Sequence, residues 1–399
     1  MNLDVSSNWL KWDLTLQHAT SSVPSFRLLN SLASLFHPPT HTRALTHTRT
    51  PMYRRRFKKK QETTFPDTIE GFGYVVKENG EIRHKEKDEK YEFEYIPKDR
   101  PYNEARYNAF INLVGDLVEQ ELQSAPLNFQ KTIIPVNANP STEPHTYIYM
   151  TPNAMTTSDK LLCLIPGNNT RIGQWTKRVM CDDNINSGSM VDVSLQALKK
   201  GYEVMILNPN GIYWYDNRAR EAPPLTHMNF SMVPENEGPE AHCLYVFQHF
   251  ISKCNAARIA MFTLGWGGHT LTELLNHDGD FFKKRVRAVA MADSTHSSDL
   301  LKGDDKRAWM RNHVVNWAVS SEPRGQPITD NRFGCDCLSS ELEISDYTLP
   351  TCLDAMWKFI DIQMGDAEPE EVDDEITRPE LLDEQEAELE EHLNVVSIG

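Results

Sequence analysis

The chain has 399 residues, a net charge of −16 and 25% charged residues, which suits one large domain or two small ones. No run of about 18 apolar residues occurs, so no membrane-spanning helix is expected. The first 36 residues contain no long apolar stretch, so no secretory signal is expected. The seven cysteines, an odd number, indicate free thiols in a reducing compartment.

Charge is concentrated toward the two ends. Arg43–Lys60 holds eight Lys/Arg and no acid, whereas Asp366–Glu391 holds 14 acids and one basic residue. We predict disordered ends at 1–61 and 365–399 around a domain at 65–364. The densest basic run is interpreted as a nuclear localisation signal, a nucleic-acid contact or a solvated flank, and it comprises Arg54, Arg55, Arg56, Lys58, Lys59 and Lys60. The acidic end is interpreted as a solubilising tail, as an attractor of a basic partner, or as a segment that folds back on the run Arg54–Lys60.

The first part of the domain shows packing patterns and no apparent chemistry. Asn79-Gly80, between the segment Phe65–Val76 and the segment Glu81–His84, predicts a β-hairpin. Tyr91–Tyr95 alternates with period two and predicts a further strand. Residues 102–123 carry apolar side chains at helical spacing and predict a helix.

From Tyr147 onward, strand-like and helix-like segments alternate. Strands are predicted at 161–165, 203–207, 259–264 and 286–292, and helices at 190–200, 240–254, 270–277 and 306–319. This order indicates an α/β fold, a doubly wound and mostly parallel sheet of the α/β-hydrolase type. The polar segment 211–238 is expected to lie over the carboxyl edge of that sheet.

A glycine turn follows the strand 259–264 and precedes a helix. This strand–turn–helix arrangement carries the nucleophilic serine of α/β-hydrolases in the form G-x-S-x-G. The residues here are Gly265, Trp266, Gly267 and Gly268. Gly265 occupies the serine position and has no side chain with which to attack a carbonyl, so we predict a hydrolase scaffold without a nucleophile.

Two other catalytic roles have candidate positions. Asp293, directly after the strand 286–292, is a candidate remnant of the acid or a residue that braces a loop. The loop after the strand 161–165 contains Gly167 and Asn168, which are candidates for an oxyanion-like turn. Pro166 before them supplies no N–H.

The base is missing from the expected place. The first histidine after His313 is His392, in the acidic tail, so the predicted domain lacks a downstream base. His269, Ser294 and His296 are conceivable local replacements.

The sequence suggests no metal or cofactor. Cys335, Cys337 and Cys352 are three candidate zinc ligands, but their spacing fits no common zinc pattern and no fourth ligand is near.

Taken together, several segments resemble the Arb2-domain family, which includes the argonaute-binding subunit of a fission-yeast siRNA chaperone and animal cotranscriptional regulators. The segments that carry the resemblance, spread over residues 65–364, include Phe65–Tyr74, Gly173–Trp175, Asn186–Gly188, Leu207–Asn210, Glu240–His242, Asp293–Ser294, Trp309–Arg311 and Ser320–Pro323. Family members often read His-Ser-x-Gly-Gly at the elbow, and this chain departs from that pattern at both the His and the Ser.

The resemblance implies an α/β-hydrolase fold and a nuclear role. That role comprises binding of argonaute-type proteins or their small RNAs, heterochromatin formation guided by small RNA, and cotranscriptional or splicing regulation. We therefore expect a non-catalytic nuclear interaction module whose partners are an argonaute-type protein and chromatin or splicing factors, with small RNA contacted indirectly and no membrane partner. Two alternatives are a serine-type esterase with unusual catalytic residues and direct RNA binding through Arg54–Lys60, which would be salt-sensitive.

Overall fold

The computed structural model describes residues 64–224 and 228–368, all within the unit Thr63–Gly399. Most of the predicted disordered ends and the basic run Arg54–Lys60 lie outside the described residues.

A hairpin and a long helix open the described part. Strands β1 (Tyr74–Val76) and β2 (Ile82–His84) pair antiparallel, as the Asn-Gly turn predicts. Helix α1 (Arg100–Gln123) begins where the Asp99 side chain accepts a hydrogen bond from the amide of Tyr102. This bond satisfies one of the free amides of the first turn and confirms the predicted helix.

The strand predicted at Tyr91–Tyr95 is wrong, because these residues have no strand partner. Tyr91 instead stacks on Phe110 of α1, with 4.5 Å between ring centroids. The guanidinium of Arg106 lies 4.1 Å from the ring centroid of Tyr95 and donates to the Tyr91 hydroxyl. Aromatic packing against a helix has therefore produced a period-two pattern without strand pairing.

Eight strands of the described part form one sheet in the order β13-β12-β11-β10-β5-β6-β4-β3. Their bounds are β3 (Gln130–Ile134), β4 (Thr146–Met150), β5 (Lys160–Ile165), β6 (Tyr202–Ile206), β10 (Arg258–Leu264), β11 (Val286–Ala292), β12 (Val314–Ala318) and β13 (Asp336–Ser339). All neighbours from β13 to β6 are parallel, and β4 pairs antiparallel with β6 and with β3. The predicted, mostly parallel sheet is confirmed.

Helices cover both faces of this sheet. Their bounds are α2 (Lys177–Asp182), α3 (Ile185–Gly188), α4 (Val191–Lys199), α5 (Pro239–His249), α6 (Trp266–His277), α7 (Gly279–Arg285), α8 (Asp304–His313) and α9 (Thr348–Met364). Alternate residues of β5 separate into two apolar cores, with Leu162 packed on the side of α1, α4 and α9, and Leu161 on the side of α5 to α8. Burial on both faces explains why β5 reads as a continuous apolar run.

The predicted helix at 306–319 is wrong in its second half. Helix α8 ends at His313, and the next residues form β12 between β11 and β13. Val314, Val315, Asn316 and Trp317 are buried there. Two β-branched residues and an aromatic side chain suit a central strand, and this preference outweighs the helical spacing of the preceding residues.

The segment 211–238 forms a small antiparallel sheet with the order β8-β7-β9. Its strands are β7 (Tyr213–Tyr215), β8 (Arg218–Arg220) and β9 (Ser231–Met232). Because the segment follows β6, it begins at the carboxyl edge of the main sheet, on the side where the elbow lies.

Candidate functional site: an elbow without a nucleophile

The turn at Gly265 has the backbone of a nucleophile elbow. Its φ is 51° and its ψ is −114°, between the buried strand β10 and helix α6. Its N–H donates to the carbonyl of Ala292 on the neighbouring strand, at 2.9 Å. Glycine adopts such a positive φ without the steric cost that other residues meet. A Cβ placed on Gly265 would meet nothing within 4 Å, so the space for a nucleophile is open and no side chain fills it.

The two glycines that follow are required by close contacts. A Cβ at Gly267 would lie 2.6 Å from the carbonyl oxygen of Ile165. A Cβ at Gly268 would lie 2.0 Å from the hydroxyl oxygen of Ser294. The elbow helix is therefore pressed against the loops that follow β5 and β11, and only a glycine backbone permits that approach.

The oxyanion-like loop lies beside the elbow. A Cβ at Gly167 would approach the carbonyl oxygen of Leu264 to 3.3 Å, and Asn168 is exposed. The side chain of Asn210 donates to the Gly167 carbonyl at 2.7 Å and to the Thr170 carbonyl at 3.0 Å. Asn210 anchors the loop, a role that sequence reasoning missed, although the segment Leu207–Asn210 is one of those that carry the family resemblance.

Asp293 contacts backbone rather than a histidine. Its carboxylate accepts a hydrogen bond from the amide of Val319 at 3.3 Å, and its own amide donates to the Trp317 carbonyl at 2.7 Å. Among the described residues, no imidazole is hydrogen-bonded to this carboxylate. Asp293 therefore joins the loop after β11 to the end of β12.

A hydroxyl–imidazole pair lies directly behind the elbow. Ser294 Oγ is 2.7 Å from His296 Nδ1, and His296 Nε2 is 2.8 Å from the carbonyl oxygen of Phe333. A carbonyl only accepts, so we assign the imidazole proton to Nε2, which leaves Nδ1 to accept the proton of the serine hydroxyl. Of the possible local replacements, the structure brings Ser294 and His296 together.

The pair is buried and its hydrogen bonds are satisfied. Ser294 is 5% exposed and His296 is 3% exposed. The serine oxygen also accepts from the His296 amide, and the Ser294 amide donates to the side chain of Asn316. Burial lowers the pKa of His296 to about 4, so the ring is neutral at pH 7. This arrangement fastens the loop, and burial keeps an acyl substrate from the hydroxyl.

The other elbow side chains form an aromatic cluster with a carboxylate. Trp266 donates its indole N–H to Glu240 at 2.8 Å and stacks on His269, with 4.2 Å between ring centroids. His269 Nε2 lies 3.9 Å from the same carboxylate. His269 thus faces Glu240 and Trp266.

A further buried histidine was missed by sequence reasoning. His242 on α5 accepts at Nε2 from the amide of Asn208, at 3.0 Å. Complete burial lowers its pKa to about 3, so it is neutral. Only the Glu240–His242 segment in the family resemblance marked this position.

No group of three or more His, Cys, Asp or Glu suited to a metal ion occurs within 64–224 and 228–368. Cys337 contacts the carbonyl of Cys335, at 3.7 Å from Sγ to O, while Cys352 lies in α9.

No helix in the same two ranges is long and apolar enough to cross a membrane.

A surface cavity of about 270 Å³ lies between α5 and α6. Glu240 and Glu273 line it, with His277 and Lys302. Glu240 links this cavity to the elbow, because its carboxylate holds Trp266.

The fold and the site together define an α/β-hydrolase-like protein whose elbow lacks the nucleophilic side chain. The family profile described as "Arb2 domain" matches residues 65–324. The chain belongs to the Arb2 domain family.

Similar proteins include "Cotranscriptional regulator ARB2A homolog" of Xenopus tropicalis, which is 30% identical over 347 residues covering 76% of this chain and 81% of that protein. "Cotranscriptional regulator ARB2A" of Homo sapiens is 29% identical over 346 residues, covering 76% of this chain and 82% of that protein. Among solved structures, "A histone deacetylase from Saccharomyces cerevisiae" is 16% identical with a TM-score of 0.42, covering 62% of this chain and 96% of that one.

Proposed function

We propose that this protein is a non-catalytic nuclear regulator of the Arb2 family. It binds an argonaute-type protein together with chromatin or splicing factors, and it acts in cotranscriptional regulation, in heterochromatin formation guided by small RNA and in splicing. The bare elbow at Gly265 carries the proposal, because an acyl-transfer enzyme needs an oxygen or sulfur nucleophile there. The names of the similar proteins support the cotranscriptional part.

The elbow region suits binding better than turnover. Trp266 and His269 present a half-buried stacked pair at the start of α6, and Gly265 leaves open space beside them. Aromatic side chains of this kind are enriched at protein interfaces. Loss of the nucleophile thus leaves a shaped, partly apolar surface on a rigid sheet.

Coprecipitation of the full chain with an argonaute protein from the same cells tests the proposal, and nuclear fractionation accompanies it. Replacement of Trp266 by Ala should reduce recovery of the partner by about 10-fold if this residue is a hot spot of the interface. Replacement of the exposed Leu117 on α1 by Ala is the matched control and should leave recovery unchanged. Absence of argonaute from the precipitate, with the protein excluded from nuclei, contradicts the proposal.

Nuclear entry is tested separately from binding. Alanine at the six basic positions of Arg54–Lys60 should shift the protein to the cytoplasm, because the run would be its import signal. An added unrelated import signal should restore nuclear entry and partner recovery together. Unchanged localisation of the alanine variant would remove this role from the run.

A serine esterase is the second candidate, favoured by the 2.7 Å contact of Ser294 with His296. A fluorophosphonate probe and short-chain acyl esters distinguish the two functions. We expect no labelled serine and no turnover above buffer, because the hydroxyl is buried. Labelling that Ser294→Ala removes would replace the first proposal by the second.

A further inference from the structure

The amino edge of the parallel sheet carries a cluster of positive charge, which we call the basic edge. Its members are Lys253, Lys284, Arg285, Arg287 and Arg311. They lie before or at the starts of β10, β11 and β12, which are parallel neighbours, so they converge on one end of the sheet. Lys253, Lys284 and Arg311 are exposed, and the other two are half-buried.

No carboxylate within the described ranges forms an ion pair with any of these five side chains. Arg285 donates hydrogen bonds to the carbonyl oxygen of Cys254, at 2.8 Å, and to that of Ala256. These neutral carbonyls orient the guanidinium but leave its charge uncompensated. The surrounding protein is acidic, with 42 Asp/Glu against 30 Lys/Arg in the described residues. An unpaired basic cluster on such a protein attracts polyanions.

The described part of the chain ends beside this edge. After α9 the side chain of Asp366 accepts from Lys160 at 2.9 Å and from Arg258 at 3.0 Å, at the starts of β5 and β10. The segment that follows, 369–391, contains 12 acids and one arginine. We propose that this acidic segment binds the basic edge of its own chain.

The segment is long enough to reach the whole basic edge. Neighbouring strands lie about 4.8 Å apart, so the start of β12 is about 10 Å from that of β10. Eight extended residues span about 27 Å. A short part of 369–391 therefore covers the edge.

The tether decides how strongly the segment competes with an external polyanion. A short flexible tether gives an effective concentration of about 1 mM. Nonspecific polyanion binding has a Kd of about 10⁻⁴ M or tighter. The acidic segment should therefore weaken binding of an external polyanion about 10-fold. This inference goes beyond the proposed function, because it holds whether or not argonaute binds.

The first test compares the full chain with a chain that lacks the acidic segment, with a 20-nucleotide single-stranded RNA of mixed sequence as the probe. A chain that ends at Glu368 should bind the RNA about 10-fold more tightly than the full chain at low salt. Lys284→Glu combined with Arg311→Glu should abolish that gain, whereas Lys87→Glu combined with Lys90→Glu, in the loop after β2, should preserve most of it. Equal affinity of the long and short chains, or a gain that survives reversal at the basic edge, overturns the proposal.

Carbodiimide crosslinking identifies the occupant. We expect bonds from Lys253 or Lys284 to carboxylates of 370–391 within one chain, lost at high salt because exposed ion pairs are screened. Bonds that lead from the acidic segment to Lys58–Lys60 instead, or that form only between isotopically distinct chains, would overturn it.

Discussion

The contact between Gly268 and Ser294 permits a quantitative test of how the elbow is held. Gly268 is the third residue of α6, and replacing glycine by alanine in a helix ordinarily stabilises by about 1 kcal/mol. Here the added Cβ would lie 2.0 Å from Ser294 Oγ and 2.9 Å from its Cβ. The serine cannot simply turn away, because its oxygen is bonded to His296.

The expected loss follows from these contacts. Overpacking of this kind costs about 1–3 kcal/mol, and loss of the serine–histidine hydrogen bond costs about 1 kcal/mol. After the gain in helix propensity is subtracted, Gly268→Ala should lower the free energy of unfolding by about 2 kcal/mol. Urea unfolding followed by tryptophan fluorescence measures this change.

Two further variants separate the clash from other effects. Gly265→Ala, which meets open space, should lose only the cost of its unusual backbone conformation, about 1–3 kcal/mol. In Gly268→Ala combined with Ser294→Gly, the methyl group of the alanine occupies the space that the serine side chain vacates. The loss of unfolding free energy in this double variant should therefore be smaller than the sum of the two single losses, by at least about 1 kcal/mol. Additive losses, or a stabilising Gly268→Ala, would refute the reasoning.

Three other expectations concern the catalytic remnant and the buried charges. Gly265→Ser should not create esterase activity, because neither nearby histidine is free to act as its base. His296 is hydrogen-bonded to Ser294 and to the carbonyl of Phe333, and His269 lies beside Glu240. Hydrolysis of p-nitrophenyl acetate faster than by the unchanged protein would contradict this. Since burial lowers the pKa of His296 to about 4 from 6.5, its neutral form is favoured on folding. The contribution of His296 to stability should therefore be complete above about pH 6.5 and decrease as pH falls toward 4, by about 3 kcal/mol at most. His242, whose pKa burial lowers to about 3, adds a loss of the same sign over this range, so His296→Gln should make the urea-midpoint profile less steep without making it flat. The Glu119 carboxylate accepts hydrogen bonds from Tyr147 at 2.8 Å and Tyr149 at 2.6 Å and forms an ion pair with Arg171, so Glu119→Ala should lower the free energy of unfolding by about 3 kcal/mol. Glu121→Ala, on the exposed face of α1, is the control and should lower it by less than about 0.5 kcal/mol. Equal losses of the two variants in thermal unfolding would show that the buried pair is unimportant.

Sequence reasoning succeeded where the pattern is local and long. The apolar runs of β5, β10 and β11 and the helical spacing of α1 led to correct elements, because burial on one or two faces imposes its period directly on the chain. Reasoning failed at Tyr91–Tyr95 and at 314–318. In both places the deciding contacts come from residues distant along the chain, namely α1 in the first case and the neighbouring strands in the second.

The candidate site divides in the same way. That Gly265 offers no nucleophile is evident from the residue type and the strand–turn–helix order alone. The partners of Asp293 and His296 were not predictable, because Val319 and Phe333 lie 26 and 37 residues further along the chain. Asn210 anchors a loop 43 residues before it, and no local pattern indicates that contact.

The sequence by itself determined the class of fold and the absence of a reactive side chain at the elbow, because hydrophobic periodicity and residue chemistry are properties of the chain that need no partner. The tertiary structure alone decided that Ser294 meets His296 behind the elbow, and that lysines and arginines from three separate connections meet at one end of the sheet. Both depend on parallel strands that bring segments far apart in sequence to the same edge, and the order of those strands is set by packing of the whole domain.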